Sequence, residues 1–191
     1  NKAQSPSLLA DINSTYVNLT HTICRYQPAL IICKDTHHEK NIRQQLNNST
    51  PTEVHPNHPV IFVIAPYNDT WCRDFGPLSV LRDNTAAPEV ELLDFRFNGW
   101  GNKYESDQDD QLCHHLSQEG LFNNPMIPVD FGLEGGSIDG NGEGLLLTTK
   151  SCLLSDTRNK GFSQSDIEMQ LTTHLGCEKV LWLSKGKLIG D

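Results

Sequence analysis

The residues WCRDFGP (71–77) put a tryptophan, an arginine and an aspartate into a turn that closes on Gly76 and Pro77, directly after the apolar run PVIFVIAP (59–66). A turn needs only small residues, so the ring and the charges are candidates for chemistry. At the end of a strand, Asp74 would carry a fixed negative charge beside the flat face of Trp71. A carboxylate accepts two parallel N–H bonds and an aromatic face attracts a planar cation, so the ligand chemistry indicated is a guanidinium. The competing reading pairs Arg73 with Asp74 or with backbone and buries Trp71 as core.

A second acid stands in a similar place. Glu134 opens LEGGSIDGNGEG (133–144) after the strand-like MIPVDF (126–131), and Asp191 follows a third apolar run, KVLWL (179–183). Acids at strand ends repeated about one axis would converge, with Asp74 and Glu134 facing a shared cavity sized for a flat nitrogen-rich cation. Strand-end turns are also rich in acids and glycine for purely local reasons.

The other candidates carry less chemistry. DGNGEG (139–144) begins like a calcium loop, but the twelfth position is Lys150 where a bidentate glutamate is required, so a tight hairpin is expected. His37 with His38 and His114 with His115 are adjacent on predicted helices and diverge, while His55 and His58 lie in a proline-rich connection. No metal site and no cofactor is expected. Cys72 shares a face with Asp74 if the segment is extended, yet no histidine or cation nearby would activate it, and it is read as packing.

The elements that must hold these residues follow from periodicity. Ile12, Tyr16, Leu19 and Ile23 step helically, PALIIC (28–33) reads as a buried strand, and 35–46 as a helix capped by Asp35 or Thr36. PLSVLRD (77–83) and EVELLDFRF (89–97) alternate around a polar link containing Asp83-Asn84, which predicts a β-hairpin. A helix is expected over 107–120, a β run through the glycine-rich turn to residue 154, and a helix from Ser163 to the C-cap Gly176. Buried strands starting at 59, 126 and 179 suggest a structural repeat.

Composition bounds the function. With 191 residues and 37% hydrophobic content the chain can bury a core, and 24 acidic against 15 basic residues leave a formal charge of −9. That balance repels nucleic acid and anionic lipid and favours small cations. No apolar run is long enough to span a membrane. Six cysteines without C-x-x-C spacing, several inside apolar runs, predict reduced thiols and a cytoplasmic setting, and sequons such as those at Asn18 and Asn68 are attributed to chance.

The stretches WCRDFGP, FRFNGWGNKY (95–104), LEGGSIDGNGEGLLLTTKSCLL (133–154) and KVLWLSKG (179–186), in this order, resemble the agmatine deiminase and bacterial-type peptidylarginine deiminase family of the pentein superfamily. The resemblance implies an α/β propeller of five ββαβ pseudo-repeats, of which residues 1–191 would hold roughly three, as one partial catalytic domain. It implies that Asp74 binds the substrate guanidinium, that Trp71 lines the same pocket, and that Glu134 lies at the site and supports a catalytic histidine. Asn98, Trp100 and Gly101 would border the pocket or shape a turn. The family's G-H-x-D segment and late cysteine nucleophile are absent from these residues, and LIGD (188–191) resembles the lead-in to G-H-x-D. The chain is therefore expected to be an inert internal fragment of an enzyme that turns agmatine into N-carbamoylputrescine, a step of polyamine biosynthesis. Peptidyl-arginine deimination is the runner-up, amidinotransfer shares the fold, and a non-catalytic propeller segment binding a cation or a partner is the alternative from another class. The expected partner is a small cationic guanidino substrate, and a homo-oligomer is left open.

Overall fold

The computed structural model describes residues 6–49, 58–82 and 89–186; His55, the Asp83-Asn84 link and Asp191 lie outside the described residues. The chain divides into two compact units, Asn1–Pro66 and Tyr67–Asp191.

The first unit is α1 (Pro6–Ile23), β1 (Ala29–Cys33), α2 (Thr36–Asn48) and β2 (Val60–Ile64), with β1 and β2 parallel and Ala29 opposite Val60. Asp35 is the cap of α2, its carboxylate accepting from His38 N at 2.7 Å. This extra bond to the charged form holds the Asp35 carboxyl below its ordinary range. The Arg43 guanidinium of α2 lies 3.9 Å from the Phe62 ring centroid, so α2 covers one face of the pair. The two runs read as buried strands are only partly so: Ile61 and Ile64 remain exposed.

The second unit repeats one topology twice. β3 (Leu78–Arg82) pairs antiparallel with β4 (Glu89–Arg96), which pairs parallel with β5 (Met126–Gly132). β6 (Ile138–Gly140) pairs antiparallel with β7 (Leu145–Thr149), which pairs parallel with β8 (Lys179–Leu183). In each set the helices fall between the second and third strands, giving two ββαβ modules. Single turns of helix and longer helices fill the connections: α3 (Cys72–Phe75) before β3, α4 (Gly99–Asn102), α5 (Asp107–Asp110) and α6 (Leu112–Gln118) before β5, and α7 (Lys150–Leu153) and α8 (Gln164–Leu175) before β8.

Packing in this unit centres on Leu93, Phe95, Val129, Phe131, Leu153, Ile167 and Leu171. Ile167 and Leu171, one helical turn apart on α8, are essentially sealed, which stabilises by about 2 kcal/mol each. Helix α8 begins with a capping box between Ser163 and Asp166 and ends on Gly176 at φ 66°. No helix among the described residues is long and apolar enough to cross a membrane.

Three local expectations are corrected. The WCRDF segment is a turn of helix, not an extended strand end, so Cys72 and Asp74 do not share a face, and Cys72 is exposed instead of packed. The helix expected over 107–120 breaks at Gln111, because the Asp109 and Asp110 carboxylates are drawn to backbone N–H groups of Asn68, Asp69 and Phe97. The β run expected to reach residue 154 stops at Thr149, whose Oγ1 accepts from Cys152 N and starts α7. The DGNGEG segment is the predicted hairpin, with Asn141 Oδ1 accepting from Glu143 N and Leu145 N.

Candidate functional site

Asp74 sits on α3, which is closed by Asp74 N donating to Trp71 O and Gly76 N donating to Cys72 O, both at 2.8 Å. The approach to this turn is fastened by a reciprocal clasp. Asn68 Oδ1 accepts from Gln108 N and Asp109 N, while the sealed Asp109 carboxylate accepts from Asn68 N and Asp69 N. Burial raises the Asp109 carboxyl above its ordinary value, and those same backbone bonds offset only part of that rise.

A second loop reaches Asp74 from the end of β4, where the register with β5 shifts between Phe95 and Arg96. Such an irregularity re-aims the chain, here into FNGWG. Phe97 N donates to Asp110 Oδ1 at 2.6 Å, and Asn98 Oδ1 accepts from Gly101 N at 3.0 Å. Gly99, Trp100, Gly101 and Asn102 all have positive φ, 63°, 59°, 82° and 64°. That is strained for tryptophan, and the ring is held by edge contacts to Phe97 at 5.0 Å and Tyr104 at 5.8 Å. The outcome is one specific bond: Trp100 Nε1–H donates to Asp74 Oδ2 at 3.1 Å.

The third piece is the turn Gly135–Ser137 after β5, whose Gly136 N donates to Asp74 Oδ1 at 3.0 Å. The two glycines permit this approach. A Cβ on Gly135 would run into the Arg73 carbonyl oxygen, and one on Gly136 into Asp74 Oδ1. Asp74 therefore holds neutral N–H donors on both oxygens, and among the described residues it forms no ion pair. Its charge is fixed in direction and locally uncancelled.

Glu134 is in the same turn but differs electrically. The residue is buried, Oε1 accepts from Arg158 Nε at 2.6 Å, and Oε2 accepts from Cys152 Sγ at 2.9 Å. Burial, then the Glu134 charge, push the Cys152 thiol up to about 12, so it stays protonated at neutral pH. Arg158 and Cys152 were missed in the sequence: the cysteine read as part of an apolar run and the arginine lies in a polar connection with no periodic signal. Asn159, also missed, is buried and staples that connection, accepting from Gly132 N at 2.9 Å and donating to Gly132 O at 2.9 Å.

The turns bearing Asp74 and Glu134 thus meet, whereas their carboxylates have separate partners. Trp100, not Trp71, reaches Asp74 with its indole, and Trp71 is 62% exposed at the start of α3. Asn98 and Gly101 shape the loop that carries Trp100, and Asn98 Nδ2 donates to Thr157 O at 2.7 Å. A cavity of about 540 Å³ lies elsewhere in this unit, lined by residues including Arg73, Ser79, Ile138 and Leu175; neither acid lines it. Among the described residues no His, Cys, Asp and Glu group is arranged to hold a metal.

A family model described as Porphyromonas-type peptidyl-arginine deiminase matches residues 1–191. A Listeria monocytogenes relative, provisionally named agmatine deiminase 1, is 34% identical over 176 residues, 90% of this chain and 44% of its own length. A similarly named Lactococcus lactis relative is 33% identical over 180 residues, 92% of this chain and 45% of its own. The chain thus spans less than half the length of these curated relatives. Among solved structures, C. jejuni agmatine deiminase carrying a C315S substitution and bound to substrate superimposes with a TM-score of 0.78 at 32% identity, covering 95% of this chain and 50% of that one. With the match extending over the whole chain and the deiminase architecture reproduced, this protein belongs to the Porphyromonas-type peptidyl-arginine deiminase family.

Proposed function

We propose that this chain is the guanidinium-binding part of a longer hydrolase that converts a guanidino compound and water into a ureido compound and ammonia, with agmatine as the favoured substrate. The observation that carries the reading is the Asp74 carboxylate, oriented by Trp100 Nε1–H and Gly136 N and left without a cationic partner among the described residues. An ionised acid of fixed direction suits a planar cation, whose N–H groups can occupy the remaining lone pairs as a pair of charge-assisted bonds.

The two ββαβ modules and the βαβ of the first unit would form about three of the five repeats of a pentein propeller, within one catalytic domain. A guanidinium is a poor electrophile because its charge is delocalised, so the chemistry calls for a cysteine thiolate to attack its central carbon. A histidine then protonates the departing ammonia, and water hydrolyses the covalent adduct to the ureido product. Cys152 is tied to Glu134 and Cys113 is sealed with its thiol raised by burial, and the resemblance to the deiminase family implies a nucleophile in the part of the enzyme beyond these residues. Asp74 would hold the cation in line for attack, and Glu134 would support the histidine.

Agmatine is favoured over peptidyl-arginine because the curated relatives and the C. jejuni structure carry agmatine deiminase names, although the family description names peptidyl-arginine. The test is ammonia release by the complete gene product from agmatine, free arginine and an arginine-containing peptide. Turnover of agmatine, lost by about 10³-fold or more in Asp74→Ala, is expected, since a buried cation would lose its counter-charge. Turnover of none of the three, or an Asp74→Ala variant close to wild type, refutes the reading.

A further inference from the structure

We propose that Arg158 is a positioning residue for this reaction: its guanidinium holds Glu134 as a permanently paired carboxylate and leaves Asp74 alone to take the substrate cation. The inference rests on the deiminase reading above.

Arg158 and Glu134 are both withdrawn from solvent, with side chains 15% and 6% exposed, and Nε donates to Oε1 at 2.6 Å. The backbone that carries Arg158 is itself held. Asn159 bonds Gly132 on both sides, Arg158 O accepts from Arg96 Nη2 at 3.3 Å, and Thr157 O accepts from Asn98 Nδ2 at 2.7 Å. Arg158 also lies under the loop that carries Trp100, because a Cβ on Gly101 would fall 3.1 Å from its Nη1. One connection therefore touches the supports of both acids.

The charges give this arrangement its consequence. Without Arg158 the meeting turns would present two uncancelled carboxylates to a substrate that brings one guanidinium. With it, Asp74, Glu134 and Arg158 leave a single net negative charge, which one planar cation matches. A buried carboxylate stripped of its partner moves toward whatever cation or water it can reach. Removing Arg158 should therefore displace Glu134 from the histidine it supports without weakening attraction for the substrate. The expected signature is a fall in kcat with KM unchanged or lower, whereas general loosening of the pocket would raise KM.

The experiment uses the complete gene product with agmatine, measuring ammonia release and melting for wild type, Arg158→Gln, Arg158→Lys, Glu134→Gln and the double variant Glu134→Gln with Arg158→Lys. For Arg158→Gln, kcat should fall by about 10²-fold, the loss typical of a reacting geometry displaced by about an ångström, while KM does not rise. Arg158→Lys, which keeps the charge but not the fork, should recover about tenfold of that loss. Glu134→Gln and Arg158→Lys should be non-additive in kcat, because both act through one carboxylate. If Arg158→Gln does not fold, the cycle built on Arg158→Lys carries the test. Arg158→Gln activity within about threefold of wild type, a raised KM as the main effect, or additive losses overturns the inference alone. A wild-type protein that releases ammonia from no guanidino compound overturns the deiminase reading and this inference with it.

Discussion

Trp100 and Asp74 are joined by an indole N–H to carboxylate bond of 3.1 Å, and the tryptophan that makes it sits at φ 59°. A bulky residue in the left-handed region is disfavoured by about 1 kcal/mol or more, and here the surrounding glycines and the Asn98 cap enforce it. The strain is located where a side chain sets the direction of a charge.

The donor can be removed while the ring stays. Trp100→Phe in the complete enzyme is expected to lower kcat/KM for agmatine by about tenfold, because a bond to a charged group at a half-buried site contributes ~1.5 kcal/mol. Steady-state ammonia release checks this. An unchanged kcat/KM would mean that Gly136 N alone orients the carboxylate.

The two adjacent glycines should respond differently to the same methyl group. At Gly135 the added Cβ meets the Arg73 carbonyl oxygen, a backbone atom that cannot yield without moving α3, so Gly135→Ala should lose about 1–3 kcal/mol in urea unfolding. At Gly136 it meets Asp74 Oδ1, a side-chain atom that can rotate aside, so Gly136→Ala should lose less stability and raise KM. The paired measurement is unfolding and KM on both variants, and equal losses of stability with no change in KM would contradict it.

Cys152 makes stability depend on alkaline pH. Its folded-state thiol is pushed up to about 12, while an exposed thiol in the unfolded chain titrates at its ordinary value of 9.0. Between these values the native state keeps a proton that the unfolded state has released, so stability falls as pH rises through 9 toward about 12. Below about 9 both states are protonated and the effect vanishes. Cys152→Ala should flatten the decline of melting temperature in that window relative to wild type, and identical slopes would show that the Cys152 thiol is not buried against Glu134 in solution.

Some of this was legible in the sequence because the signals are local. Asp35, Ser163 and Gly176 cap helices through bonds to residues within a few positions, and β4, β5 and the DGNGEG hairpin follow alternation and turn chemistry. The turns bearing Asp74 and Glu134 were marked by the same means, a charge and glycines closing an apolar run. Missed were the helical form of WCRDF, the break at Gln111 and the stop at Thr149. In each, hydrogen bonding of the particular fold outweighed a propensity that is weak over a few residues.

The residue sequence by itself determined most of the elements and their order, the acidic balance and the two acid-bearing turns, since these follow from side-chain type and short-range spacing. Only the tertiary structure decided that Trp100 orients Asp74 across 26 positions and that Arg158 cancels Glu134 across 24. No spacing rule announces such pairs. They exist because two ββαβ modules fold their loops against each other, and the charge left uncancelled depends on which long-range partner each carboxylate finds.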